Sequence, residues 1–256
     1  MSPGTPTLAL DSRAGVMLPA ALSLIAGVTD VTSWLLLGGF FSAHVTGNLV
    51  VIAADVVTGK VPNLAAVLAI PAFIVTTAGA TLIAQQIAKR ALPSEGEQSA
   101  AVQTTTRILL GSQALLLIAA AGLSFLTRAS TDPQRPLAVI IGLCAVCAMA
   151  AQNAYLHLLS AKAASTAVMT GNLVTATVAA IEILLSGGRS SAARAKWQQT
   201  WPLLAGFIAG CLVGAASASL FSDRAAIIPA ALATVLFVIV LTRADTAAAT
   251  SERSSQ

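Results

Sequence analysis

The sequence predicts an all-α, polytopic transmembrane helical bundle made of two internal repeats, with six full spans and two short Thr-Gly-Asn segments. Three observations carry that expectation. Hydrophobic residues make up 56% of the chain, against an ordinary share of about 45–50% that also counts glycine. Charged residues are only 9%, where a soluble domain carries about 25%. Several apolar stretches reach the roughly 20 residues needed to cross a hydrocarbon core about 30 Å thick. A β-barrel would show short alternating segments, and these are continuously apolar.

The elements follow in order. Residues 1–14 are a polar tail with Arg13 as its one basic residue, thin for the n-region of a signal peptide. The first repeat, 15–127, opens with a span from Val16 to Gly39 that holds Pro19, Gly27 and Asp30. A short segment from Val45 to Val57 carries the first Thr-Gly-Asn and ends near Asp55 and Lys60. Leu64 to Ala88 is a full span with Pro71. Residues 93–106, rich in Pro, Ser, Glu, Gly and Thr, read as a linker inside this repeat. Ile108 to Leu126 closes it as another span.

The second repeat, 128–242, begins with a turn-like Asp132-Pro133-Gln134-Arg135-Pro136. Leu137 to Leu159 is a span carrying Gln152, Asn153 and His157. Val168 to Leu185 holds the second Thr-Gly-Asn and Glu182. Ser186 to Gln199 reads as a basic loop, with Trp197 and Trp201 at headgroup level. Trp201 to Leu220 and Ala225 to Leu241 are the last two spans, and 243–256 reads as a disordered tail.

Val45-Thr46-Gly47-Asn48-Leu49-Val50 is nearly restated at Met169-Thr170-Gly171-Asn172-Leu173-Val174, 124 residues further on. The same shift aligns Leu35 with Leu159, Ser42 with Thr166 and Ala43 with Ala167. Each half then reads span, short segment, span, span. Gly-interrupted hydrophobic segments at matching places in two halves point to a transport site. A broken helix frees backbone groups, which survive in a bilayer only where protein or a water-filled cavity satisfies them. Gly47 and Gly171 permit the break, while Asn48 and Asn172 cap the adjoining turn or contact a solute. The competing reading makes each motif a notch where two helices pack closely.

Asp30 is the sharpest single residue. A carboxylate inside a span costs roughly 2.5–3.5 kcal/mol on insertion scales, and such residues mark ion or proton pathways. Gln152 and Asn153 occupy the matching region of the second half as neutral amides, suited to lining a site or to joining helices. His44 is a candidate because histidine is the residue type used for proton switching; His157 reads as an interfacial residue. Asp55 and Glu182 read as interface acids. The candidate site is therefore Asp30, His44, Thr46, Gly47, Asn48, Gln152, Asn153, Thr170, Gly171 and Asn172.

Other chemistry is not expected. There is no P-loop, no G-x-G-x-x-G after a strand, no H-E-x-x-H and no G-x-S-x-G. No catalytic group, cofactor or metal is assigned: the two histidines have no acidic neighbour in sequence, and Cys144-Ala-Val-Cys147 has the apolar flanks of packing residues. The net charge of +4 comes from scattered residues, which speaks for positive-inside anchoring and against nucleic acid. The partners expected are the lipid bilayer and an unidentified small solute, with oligomerisation left open.

Gly27-Val-Thr-Asp30, then Gly38-Gly39-Phe-Phe-Ser-Ala-His-Val-Thr-Gly-Asn48, Gln152-Asn-Ala154 and the second Thr-Gly-Asn resemble the YoaK family of bacterial integral membrane proteins. The resemblance covers about residues 14 to 242. It implies a multi-span bundle in a bacterial plasma membrane, and the family's function is unknown. The second motif has Val168 where the first has His44, which leaves His44 without a paired counterpart.

Loop charges orient the chain. If both short segments cross, nine Lys and Arg share the N-terminal side and five lie opposite; if both are re-entrant, the division is ten to four. Either division puts the N-terminus in the cytoplasm. Four crossings per half would make the repeats parallel, and three would make them inverted.

Overall fold

The computed structural model describes residues 14–91, 95–159, 166 and 169–254. Eight α-helices follow one another among them: α1 (Ala14–Leu36), α2 (Gly47–Val57), α3 (Leu64–Arg90), α4 (Glu95–Thr127), α5 (Pro136–Leu159), α6 (Met169–Leu185), α7 (Ser191–Phe221) and α8 (Ile227–Ser254). Short 3-10 turns at Ala129–Thr131 and Ser222–Ala226 precede α5 and α8. Five stretches are long and apolar enough to cross a membrane, and the last, Ser191–Arg243, takes in both α7 and α8. This is a multi-pass membrane protein. The 11 residues of α2 and 17 of α6 reach only about 16 and 25 Å at about 1.5 Å per residue, short of the hydrocarbon core.

Three boundaries differ from expectation. Helix α4 starts at Glu95, so all but the first residues of the expected linker are its opening turns. Glu95 and Glu97 favour a helix N-terminus, and the Ala and Gln that follow are good helix formers. Helix α7 starts at Ser191, inside the expected basic loop, because the Ser190 hydroxyl accepts from Ala193 N at 3.2 Å and caps it. Helix α8 runs on to Ser254 through an Ala-rich stretch where disorder was expected. The N-terminal tail lies outside the described residues up to residue 13.

Helices α1 and α7 pack backbone to backbone. A Cβ placed on Gly206 or Gly210 would strike the carbonyl oxygens of Ala20 and Leu24, and one on Gly214 would lie 3.0 Å from that of Val28. Both series advance in steps of four, so the helices run parallel with a Gly-x-x-x-Gly-x-x-x-Gly stripe between them. Gly27 on α1 meets the Phe207 carbonyl in the same way. The Ser23 hydroxyl donates to Leu203 O at 2.7 Å and fastens the crossing nearer the N-termini.

Helix α5 runs the other way. Gln152, near its end, donates to Leu22 O of α1 at 3.0 Å, while Ile141 and Ala145, near its start, share a small cleft with Ser33 and Leu36. Helix α1 is thus antiparallel to α5, the helix that opens the second half. The packed pairs exchange accordingly: α1 with α7 and α5 with α3, α2 with α3 and α6 with α7, α4 with α5 and α8 with α1. Of the packed helix pairs, α3 with α4 lacks a comparable mate.

The first short segment returns to the end of the bundle it left. Asn63 caps α3 by accepting from Ala65 N at 2.8 Å, and its amide donates to Leu37 O at 2.7 Å and Gly38 O at 3.0 Å. The end of α1 and the start of α3 therefore touch, and residues between them form a hairpin that does not cross. Gly38 and Gly39, at φ +87° and +80°, supply the left-handed turn that sends the chain back. In this three-crossing geometry, cysteines placed at positions 60 and 189 lie on opposite sides of the membrane. A membrane-impermeant thiol reagent should label them from opposite sides of oriented vesicles; labelling from one side would refute the hairpin. Gly210→Ala should destabilise by about 1–3 kcal/mol through overpacking. Gly79→Ala, where a Cβ meets nothing within 4 Å, should be neutral or stabilising by up to about 1 kcal/mol, and denaturant unfolding in detergent compares the two.

Candidate functional site

The site begins with the backbone of the hairpin. As the chain doubles back from Gly39, residues 41–43 meet α1 side-on, and their N–H groups need partners away from water. Asp30 supplies them. Its Oδ1 accepts from Ser42 N at 2.8 Å, Ala43 N at 2.6 Å and the Ser42 hydroxyl at 3.2 Å. Its Oδ2 lies 2.6 Å from His44 Nδ1. The carboxylate is buried to within a few per cent and holds four donors, as a buried charge requires.

Asn48 completes the loop. Its Oδ1 accepts from Phe41 N at 2.8 Å, and its Nδ2 donates to Phe41 O at 2.8 Å. One amide thus closes both polar groups of the Phe41 residue, and it is fully buried. The first N–H groups of α2 are also used. Gly47, Asn48 and Leu49 donate to the carbonyls of His44, Val45 and Thr46 at 2.8, 3.1 and 3.2 Å.

What remains faces a cavity of about 890 Å3. Asp30, Val31, Trp34 and Leu35 of α1 and Phe207, Cys211 and Ala215 of α7 form one wall. Phe41, His44, Thr46 and Gly47 enter from the first hairpin, and Met169 and Thr170 from the start of α6. The two Thr-Gly-Asn motifs therefore meet across one space. His44 is half-buried with its ring edge-on to Phe207 at 4.9 Å, and its Nε2 is buried without a hydrogen-bond partner.

The family model described as "Protein of unknown function (DUF1275)" matches residues 18–239. The chain belongs to that family. No curated protein and no solved structure matches it.

In this DUF1275 chain the expected site residues divide into two groups. Asp30, His44, Thr46, Gly47 and Thr170 line the cavity. Asn48 does not; it sits behind, locking the loop. Asn172 is buried at the start of α6 beside Met169 Sδ, 3.9 Å away, and Gly171 is exposed. Gln152 and Asn153 form a separate buried network. Gln152 accepts from Gln113 Nε2 at 2.8 Å and donates to Leu22 O and, at 3.3 Å, to Thr166 Oγ1. Thr166 in turn donates to Asn153 Oδ1 at 3.1 Å. These amides join α1, α4 and α5 and do not touch the cavity.

Two expectations need correction. Gly47 takes an ordinary helical conformation, so backbone freedom is not its use. A Cβ there would sit 2.9 Å from the Phe41 ring; the residue is small because the loop folds over it. And His44 does have an acidic partner, because the hairpin brings back Asp30 from 14 residues away. Thr166 donates to Asn153 Oδ1, 13 residues before it, much as Ser42 donates to Asp30 Oδ1, 12 residues before it.

Sequence reading passed over Asn63, Thr166, Phe207 and Cys211. Asn63 carried a signal, since it stands between Pro62 and an apolar run as an N-cap does. The three glycines of α7 that bring Phe207 and Cys211 to the cavity also stood at a legible spacing.

Asp30→Ala should strand the Ser42 and Ala43 N–H groups at about 1–3 kcal/mol each. Asp30→Asn keeps an oxygen for both and turns its NH2 to His44, so it should cost less than half as much. Denaturant unfolding of the two variants tests this; equal losses would mean that the charge, and not the acceptor oxygen, holds the loop.

Proposed function

We propose that this protein is a secondary transporter or channel for a small solute in a bacterial plasma membrane. The single observation that carries the reading is the cavity shared by the two motifs, Thr46 and Gly47 on one side and Met169 and Thr170 on the other. Its volume falls within the range of about 300–1,000 Å3 typical of small-molecule sites. Opposed α1 and α5 and the exchange of packed pairs between halves support an inverted repeat, the architecture in which two halves rock about a common site. The division of basic residues, ten to four in a three-crossing arrangement, supports a cytoplasmic N-terminus.

The coupling role passes from Asp30 to the pair it makes with His44. Asp30 is committed to the loop by four bonds, whereas His44 lines the cavity and has a buried Nε2 with none. In this reading the pair as a whole couples a proton or cation, with Asp30 positioning the ring. The role proposed is transport rather than catalysis.

The test is accessibility. In a background with Cys144, Cys147 and Cys211 replaced by serine, Thr46→Cys and Thr170→Cys should each react with a membrane-impermeant thiol reagent. A solute added in excess should slow both reactions together if it occupies the shared cavity. Inert thiols from both sides would leave a packing or scaffold role.

A further inference from the structure

We infer that the cavity recognises a lipophilic organic ammonium, a cationic amine with at least one N–H and an apolar or aromatic body. The inference rests on the solute-site reading above and adds the chemistry of the ligand. Three features of the wall converge on it.

The first is charge. Among the described residues, Asp30 is the one acidic residue lining the cavity, and no Lys or Arg lines it. An anion would need donors, and the backbone donors nearest the break are already used. Phe41 N goes to Asn48, Ser42 and Ala43 N go to Asp30, and Gly47, Asn48 and Leu49 N go to the preceding turn. The start of α2 thus offers no free cradle of the kind that binds anions at helix N-termini.

The second is the orphaned nitrogen. A carboxylate only accepts, so the 2.6 Å contact places the shared proton on His44 Nδ1. In the tautomer with the proton on Nδ1 alone, Nε2 is an acceptor, buried with no hydrogen-bond partner in a residue that lines the cavity. Such an atom calls for an N–H or O–H from whatever fills the cavity.

The third is the aromatic lining. Trp34 and Phe41 stand with ring centroids 4.8 Å apart at 33°, and the Phe207 ring meets His44 edge-on. Ring faces attract cations, most strongly out of water. Val31, Leu35 and Met169 complete an apolar bed for the rest of the molecule.

The probes are three compounds of similar shape: 2-phenylethylammonium, its N-trimethyl analogue, which keeps the charge but has no N–H, and 3-phenylpropionate. Binding to the purified full chain in detergent is followed by calorimetry. 2-Phenylethylammonium should bind at least tenfold more tightly than the trimethyl analogue, as expected for a hydrogen bond to a charged group of about 1.5–3 kcal/mol, and 3-phenylpropionate should not compete. His44→Phe should lower affinity for the primary ammonium at least tenfold and remove its preference over the trimethyl compound. Trp34→Leu, on a partly exposed ring, should weaken both cations several-fold and serves if the His44 variant fails to fold. Equal or tighter binding of the carboxylate overturns the inference, as does an unchanged preference in His44→Phe. If none of the three binds while the thiols at 46 and 170 react, the ligand class is wrong and the cavity reading stands. If those thiols are also inert, both fall.

Discussion

One buried carboxylate holds the break in the bundle. A chain that stops being helical inside an apolar protein exposes N–H groups that have no water to turn to. Asp30 answers two of them directly and positions His44 with its other oxygen, while Asn48 closes the Phe41 residue. Without those acceptors the hairpin would have to straighten or leave, and the cavity would lose a side. The same bonds that stabilise the loop also aim an imidazole into the cavity. Fold and site share one set of atoms here.

A second requirement is room. The hairpin can return to the level of Asp30 because α7 approaches α1 without side chains in between, through Gly206, Gly210 and Gly214. Phe207 and Cys211, each next to a glycine of that stripe, then fall on the cavity wall. Opposite direction of α1 and α5 brings the second motif in from the other end. The starts of α2 and α6 therefore share one cavity.

Much of this was legible in the residues. Continuous apolar stretches with few charges dictate spans, and those calculations depend only on length and hydropathy. The repeated Thr-Gly-Asn marked where α2 and α6 start, and Asp30 stood out because its cost demanded a partner. What was hidden depends on chain reversal. Asp30 and His44 are 14 residues apart, and nothing in their spacing pairs them until Gly38 and Gly39 turn the chain. The number of crossings was equally hidden, since loop charges balanced similarly either way; one hydrogen bond from Asn63 to Leu37 decided it for the first half. The polar starts of α4 and α7 misled because Ser, Thr and Glu serve both loops and helix N-termini. Gln152 and Asn153 looked like site residues because a buried amide that joins helices has the same composition as one that binds a solute.

The glycine contact between α1 and α7 also has a mechanical meaning. Where backbones touch, there are no rotamers to switch and no side-chain layer to shear, so the two helices behave as a single beam. Val31, Trp34, Phe207 and Cys211 all belong to that beam. Any change in the shape of the cavity must come from the hairpin and the start of α6 moving over it, as fingers move against a fixed palm.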